Sequence, residues 1–254
     1  MSGQTNERAF EGYVEDTLLK QGGWQSGTNA DWSVERAVFA PQVCRFLQET
    51  QPKLWEEMHA LHAEGLENLL INTLIKDLDV KGTLHILRHG FKFYGKTFRL
   101  AYFKPAHGLN DEVSKLYDRN RLMVTRQVLC HPGKHDTVDL LLSVNGLPVA
   151  TCELKNPGTG QNWRHAIRQF QQDRDPRAPL FGFKTRALVH FAADPDEVHM
   201  ATRLRGEDTS FLPFNRVAIP EMSSAAREIR NTHLAIGPVT SGRMCCSATA
   251  SWTF

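Results

Sequence analysis

The sequence predicts an α/β protein. Residues 6–20 place apolar side chains at helical spacing, and short apolar or β-branched runs recur from residue 121 to 204. One of these runs folds back on itself at Asn145-Gly146, the strongest short-range hairpin signal a sequence can carry. Strands interleaved with helices place the chain in the α/β class.

The elements follow in order. Phe10, Val14 and Leu18 share one face of the first helix, which Gly22-Gly23 ends. Glu7, Glu11 and Glu15 line another side, a row that reads either as a solvated acidic face or as a source of one further metal ligand. Residues 33–50 and 52–79 read as further helix, with Pro52 near a helix start. His59 and His62 there read as surface side chains. From Thr83 the pattern reads as strand: residues 83–91 and 97–103 are short, aromatic and β-branched. Arg88, Lys92, Lys96, Arg99 and Lys104 alternate with aromatics in this stretch, as in a backbone-gripping nucleic-acid surface or in a strand pair with one wet face. Residues 121–130 form the next predicted strand, and His131 to His135 form a polar turn. The Asn145-Gly146 hairpin comes next, followed by a helix from Gln161 or Asn162 to about Asp173. Short strands at 187–192 and 198–204 complete the reading.

Composition bounds the function. A net charge of +2 over 254 residues excludes a globally basic surface, so any nucleic-acid contact is local. The 5 cysteines are odd in number and form no C-x-x-C pair, which fits a reducing cytoplasm and neither a disulfide scaffold nor a zinc ribbon. The polar N-terminus is no signal peptide, and no apolar run reaches the roughly 18 residues of a membrane span.

The hairpin carries the chemistry. Asp139 lies in its first apolar run, and Glu153 and Lys155 end its second. Charges in such surroundings are costly unless paired or bound. Two carboxylates suit Mg²⁺, which takes oxygen ligands and keeps several waters. Lys155 is two residues from Glu153, so both leave one face of the strand, where a lysine can orient water and stabilise charge on a phosphate. A strict two-residue turn would put Asp139 opposite Cys152 and break the site. The metal-site reading therefore requires an odd-length turn or a bulge that sets Asp139 across from Glu153.

Val138-Asp139 with Glu153-Leu154-Lys155 resembles the PD-(D/E)xK nuclease motif. The longer string VDLLLSVNGLPVATCELKNPGTGQNWRHAIRQFQQDRDPRAPLF resembles the N-terminal nuclease domain of type I restriction–modification R subunits. TQPKLWEEMHALH, KGTLHILRHGFKFYG, FRLAYFKP, LVHFAADPDEVHMATRL and FLPFN resemble it too, so the likeness spans about residues 5–215. It implies a restriction-endonuclease-like core: a mixed central β-sheet flanked by helices, with a helical insertion at about 33–80. It implies Mg²⁺-dependent cleavage of double-stranded DNA in the cytoplasm, beside methylation and specificity subunits and away from membranes. Asp139 and Glu153 would be metal ligands and Lys155 the catalytic lysine. Gln169 matches the first residue of the family's Gln-x-x-x-Tyr motif, whereas position 173 is Asp. Glu7 and Glu11 are both candidates for an additional ligand from the first helix.

The family's R subunits also carry an ATP-driven motor. No G-x-x-x-x-G-K-[ST] loop occurs here, so the expectation is the nuclease piece alone, residues 1–216. Residues 217–254 lose the resemblance. Back-translated and read one base earlier, they can spell the family's continuation, so a frameshifted tail is the expectation. Two other readings remain open: an inactive DNA-binding or assembly remnant, and a repair or junction nuclease on the same fold.

Overall fold

The computed structural model describes residues 2–62, 64–105 and 111–214, with side chains from residue 8 onward except that of Thr159. The expected tail at 217–254 lies outside the described residues.

A long helix, α1 (Ser2–Gln21), leads into β1 (Gln25–Ser26) and a small ribbon, β2 (Trp32–Ser33) and β3 (Val38–Phe39). Three helices follow: α2 (Ala40–Thr50), α3 (Pro52–Leu61) and α4 (Leu66–Lys81). Then come α5 (Thr83–His89), a second ribbon of β4 (Phe91–Phe93) and β5 (Lys96–Phe98), and α6 (Asp111–Tyr117). The central strands are β6 (Leu122–Leu129), β7 (Thr137–Val144) and β8 (Leu147–Leu154). Helix α7 (Trp163–Arg168) runs into a π turn over Gln169–Asp173, and β9 (Val189–Ala193), β10 (Val198–Ala201) and β11 (Leu212–Pro213) close the fold.

Seven strands form one mixed sheet in the order β1-β6-β7-β8-β9-β10-β11. β1 runs parallel to β6 and β9 parallel to β8, and the other pairs are antiparallel. Side chains alternate along β7, so its two faces feed two cores. Leu140 and Leu142 join Phe10 and Val14 of α1 and Val43, Phe46, Leu70 and Leu74 of the helical segment. Leu141 joins Ala166 of α7, Phe170 and Phe181. This is the α/β architecture of a restriction-endonuclease-like fold, with helices on both sides of a mixed sheet. No helix among the described residues is long and apolar enough to cross a membrane.

The strand expected over residues 97–103 ends at Phe98, and the helix expected over 52–79 is two helices, α3 and α4. Four more expectations need correction. Residues 83–89 are helix, not strand. Thr83, Ile86 and Leu87 are buried while His85, Arg88 and His89 face out, a helical period that seven residues cannot distinguish from a strand's on paper. The segment expected to be helical from residue 33 begins with the β2–β3 ribbon, and helix starts only at Ala40. β10 ends at Ala201, short of Leu204. His62 is no surface side chain: its ring lies 4.3 Å from that of Tyr94, and its Nε2 is buried without a hydrogen-bond partner. The basic–aromatic stretch resolves as a ribbon with one wet face. Phe91, Phe93 and Phe98 are buried in the core, Lys96 pairs with Glu57, and Tyr94 stays exposed.

Candidate active site

The site is built where β7 and β8 part company. Asn145 and Gly146 both have positive φ, 51° and 87°, so they make the two-residue turn that joins Val144 to Leu147. Left at that, Asp139 would miss Glu153. One residue of β8 is extra: Ser143 pairs with Pro148 but Leu142 pairs with Ala150, so Val149 forms a bulge. The shift carries on through Leu140 opposite Cys152, and the next step sets Asp139 across from Glu153. Of the two devices that could align the carboxylates, the chain uses the bulge.

Beyond this point Asp139 serves the ladder with its side chain. Lys155 N–H donates to Ala193 O on the β9 side, so the Leu154 N–H faces β7. Asp139 Oδ2 accepts it at 2.7 Å. Its other oxygen accepts from Gln127 Nε2 at 3.2 Å. Burial raises the Asp139 carboxyl above its ordinary range, while the Leu154 N–H and Lys155 pull it back.

Glu153 is fully buried, at 0% exposure. Burial, with the Asp139 charge adding, pushes it up to about 8 against the pull of Arg174 and Lys155. Arg174 donates from Nε to Glu153 Oε1 at 2.8 Å, its Nη2 lies 2.7 Å from the same oxygen as an ion pair, and Nη2 donates to Thr137 O at 2.7 Å. Glu153 Oε2 is buried with no hydrogen-bond partner. Lys155 is half-buried, and its charge acts on both carboxylates.

The first helix reaches this cluster through Gln127. That residue has a φ of 51°, unusual outside glycine, which breaks the strand's alternation at one position of β6. Its amide nitrogen donates to Asp139 and to Glu11 Oε1, the latter at 3.1 Å, and its amide oxygen accepts from Thr137 Oγ1 at 2.8 Å. Arg126 Nη2 donates to the other oxygen of Glu11 at 2.9 Å. The two first-helix candidates thus separate: Glu11 joins the Asp139 network, while the Glu7 side chain lies outside the described residues. Gln169 opens the π turn, half-buried, with no side-chain hydrogen bond to Asp139, Glu153 or Lys155. Asp173 is exposed.

Two residues of this network escaped the sequence reading. Arg174 sits in a charged stretch, QDRDPR, that reads as solvated, and Gln127 sits in a strand where a polar residue suggests only a wet face. The one signal for Arg174 was the buried acid itself, which demands a partner.

Among the described residues no three His, Cys, Asp or Glu side chains stand close enough to share a metal ion. That sets this carboxylate pair apart from sites with three or four protein ligands. The pair fits Mg²⁺ by another route. A hard cation needs one or two carboxylates, the unpartnered Glu153 Oε2 is a buried acceptor that a cation would satisfy, and each Asp139 oxygen keeps a lone pair.

A family profile described as the N terminus of type I restriction enzyme R proteins matches residues 4–209. No curated protein matches the chain.

Proposed function

We propose, from the premise that the chain belongs to the family of type I restriction enzyme R protein N-terminal domains, that it is an endonuclease domain of the PD-(D/E)xK type. It cuts double-stranded DNA and depends on Mg²⁺. The observation that carries the reading is the bulged hairpin, which sets Asp139 across from Glu153 with the Lys155 charge acting on both.

A bound Mg²⁺ would supply Lewis acidity toward a phosphate oxygen and a more acidic water. The chain's own residues do the rest. The Leu154 N–H and the Gln127 amide hold the Asp139 carboxylate in one orientation. Arg174 holds Glu153. Lys155 supplies fixed positive charge where negative charge grows on the phosphate, in a site whose low dielectric makes it count. Glu11 acts at one remove by fixing Gln127. Gln169, in the wide turn beside the strand, is available to the DNA backbone. The methylation and specificity subunits as partners, a cytoplasmic setting, and ATP consumption only by motor domains belong to the same reading.

The test is nicking of supercoiled plasmid by the purified chain in Mg²⁺ or chelator, beside Asp139→Ala. Mg²⁺-dependent nicking that falls by about 100-fold or more in the variant is the expected outcome. Where the chain alone is silent, the same comparison is made with the methylation, specificity and motor components added. Cleavage that survives chelation, or that Asp139→Ala leaves untouched, overturns the proposal.

A further inference from the structure

The geometry points to Arg174 as a positioning residue that occupies one oxygen of Glu153 and so leaves the site room for a single divalent cation, held by Asp139 and Glu153 Oε2. This rests on the metal-site reading above and deepens it.

The contact is a clamp. Nε of Arg174 donates to Oε1, Nη2 ion-pairs with the same oxygen at 2.7 Å, and Nη2 is anchored by its hydrogen bond to Thr137 O. The side chains are 4% and 0% exposed, so water does not compete. The clamp is also held from behind. Arg174 directly follows the π turn, and Gln171 within that turn donates to Thr209 O at 3.0 Å and to Glu207 O at 3.3 Å. A wide turn of this kind re-aims the residue that follows it, and such turns gather at functional sites.

Oε2 stands in contrast. It is buried and has no partner. A buried acceptor left unpaired is costly, and native structures carry few of them. One oxygen of Glu153 is therefore over-supplied with donors and the other has none. A cation on Oε2 removes that imbalance without disturbing Arg174. A second cation on the far side of Glu153 would have to approach Oε1, next to a guanidinium. The charge balance agrees: with both carboxylates ionised, as a cation requires, Asp139 and Glu153 meet the positive charges of Lys155 and Arg174. One divalent ion adds two charges to a neutral cluster; two ions would add four with no further acid to meet them among the residues that act on it most strongly, Glu11 excepted.

The test counts bound Mn²⁺ by the paramagnetic signal of the free ion, using the full chain without DNA. The wild type is expected to hold one Mn²⁺ per chain at this site, lost in Asp139→Asn. Arg174→Lys keeps a charge but has no planar fork to donate to Oε1 while anchored on Thr137 O, and should bind Mn²⁺ about tenfold or more weakly. Its metal-free melting curve is recorded in parallel to establish that it is folded. Two ions at this site in the wild type, or wild-type affinity in Arg174→Lys, overturns the inference and leaves the metal site standing. Absence of Mn²⁺ binding in the wild type, or binding indifferent to Asp139→Asn, sinks the metal-site reading and this inference with it. The wild-type count needs no variant, so an unfolded Arg174→Lys would still leave a decision.

Discussion

Glu153 has no solvent around it, and that alone favours the protonated acid; Arg174 on Oε1 favours the carboxylate. With burial and Asp139 on one side and two cations on the other, the group ends near 8. The pH consequence has a definite sign. An unfolded Glu loses its proton near its ordinary value of 4.5, whereas the folded one keeps it up to about 8. The folded state binds more protons in between, so the metal-free chain loses stability as pH rises from about 4.5 through about 8. Urea midpoints measured across that window should fall in the wild type and stay flatter in Glu153→Gln. Nicking should rise over the same interval, because a cation needs the carboxylate. Removing the partner is a separate matter. Arg174→Met leaves Glu153 Oε1 buried without its donor and should cost about 1–3 kcal/mol, whereas the double variant with Glu153→Gln should recover part of it. Asp139, Glu153 and Lys155 were legible because charge in an apolar hairpin is conspicuous. Arg174 was not, because a cation in a charged stretch gives no sign that it will turn inward, and the positive φ of Gln127 has no sequence signature at all.

Among the elements, the hairpin was readable to its turn and ambiguous beyond it. Asn-Gly specifies the turn type, but nothing in Leu147–Leu154 marks Val149 as the extra residue. Only the demand that two carboxylates meet pointed to a bulge. The turn is also tied to its surroundings. Asn145 donates to Leu100 O at 2.8 Å and accepts from the Arg121 N–H at 2.7 Å, and a Cβ on Gly146 would lie 2.8 Å from Phe39 O and from the Val43 nitrogen. Gly146→Ala therefore combines backbone strain with a clash, and should destabilise by more than the roughly 1 kcal/mol of an open left-handed glycine, read from the shift in urea midpoint. On the neighbouring pair of strands, His190 accepts or donates a 2.8 Å hydrogen bond with Thr151 and is packed between Phe170 and Phe181. Burial holds it down to about 3, so it stays neutral while an unfolded His charges near 6.5. Stability that is full above pH 6.5 should drain as pH falls toward 3, a slope that His190→Gln should flatten. α5 shows the other limit of reading elements from sequence: seven residues carry too few turns to declare their period.

For the molecule as a whole, the site joins parts of the chain that lie far apart in sequence. Glu11 comes from the first helix, Gln127 and Asp139 from adjacent strands, Glu153 from the third and Arg174 from beyond α7. Anything that binds this assembled cluster and not the unfolded chain stabilises the fold by mass action. At about 100 times its dissociation constant a single ion contributes about 2.7 kcal/mol, so Mg²⁺ should raise the melting temperature by several degrees. Chelator should reverse the rise, and Asp139→Asn should abolish it. The class of the fold followed from periodicity, the sheet flanked by helices from the family resemblance, and the carboxylate pair from chemistry. The links between distant segments did not, because a hydrogen bond spanning 115 residues, as between Arg126 and Glu11, leaves no local pattern.

The bulge at Val149 also imposes a rule of parity on the hairpin. Between the turn and Glu153 the chain counts one residue more than a plain ladder allows. Loss of Val149 alone would straighten the ladder and leave Asp139 across from Glu153, whereas one residue gained there turns the acid to the wrong side of the sheet. A chain that lacks Val149 should therefore still bind Mn²⁺, where one with a residue inserted after Val149 should not. Natural variation in this segment is expected to lose the bulge more readily than to lengthen the strand.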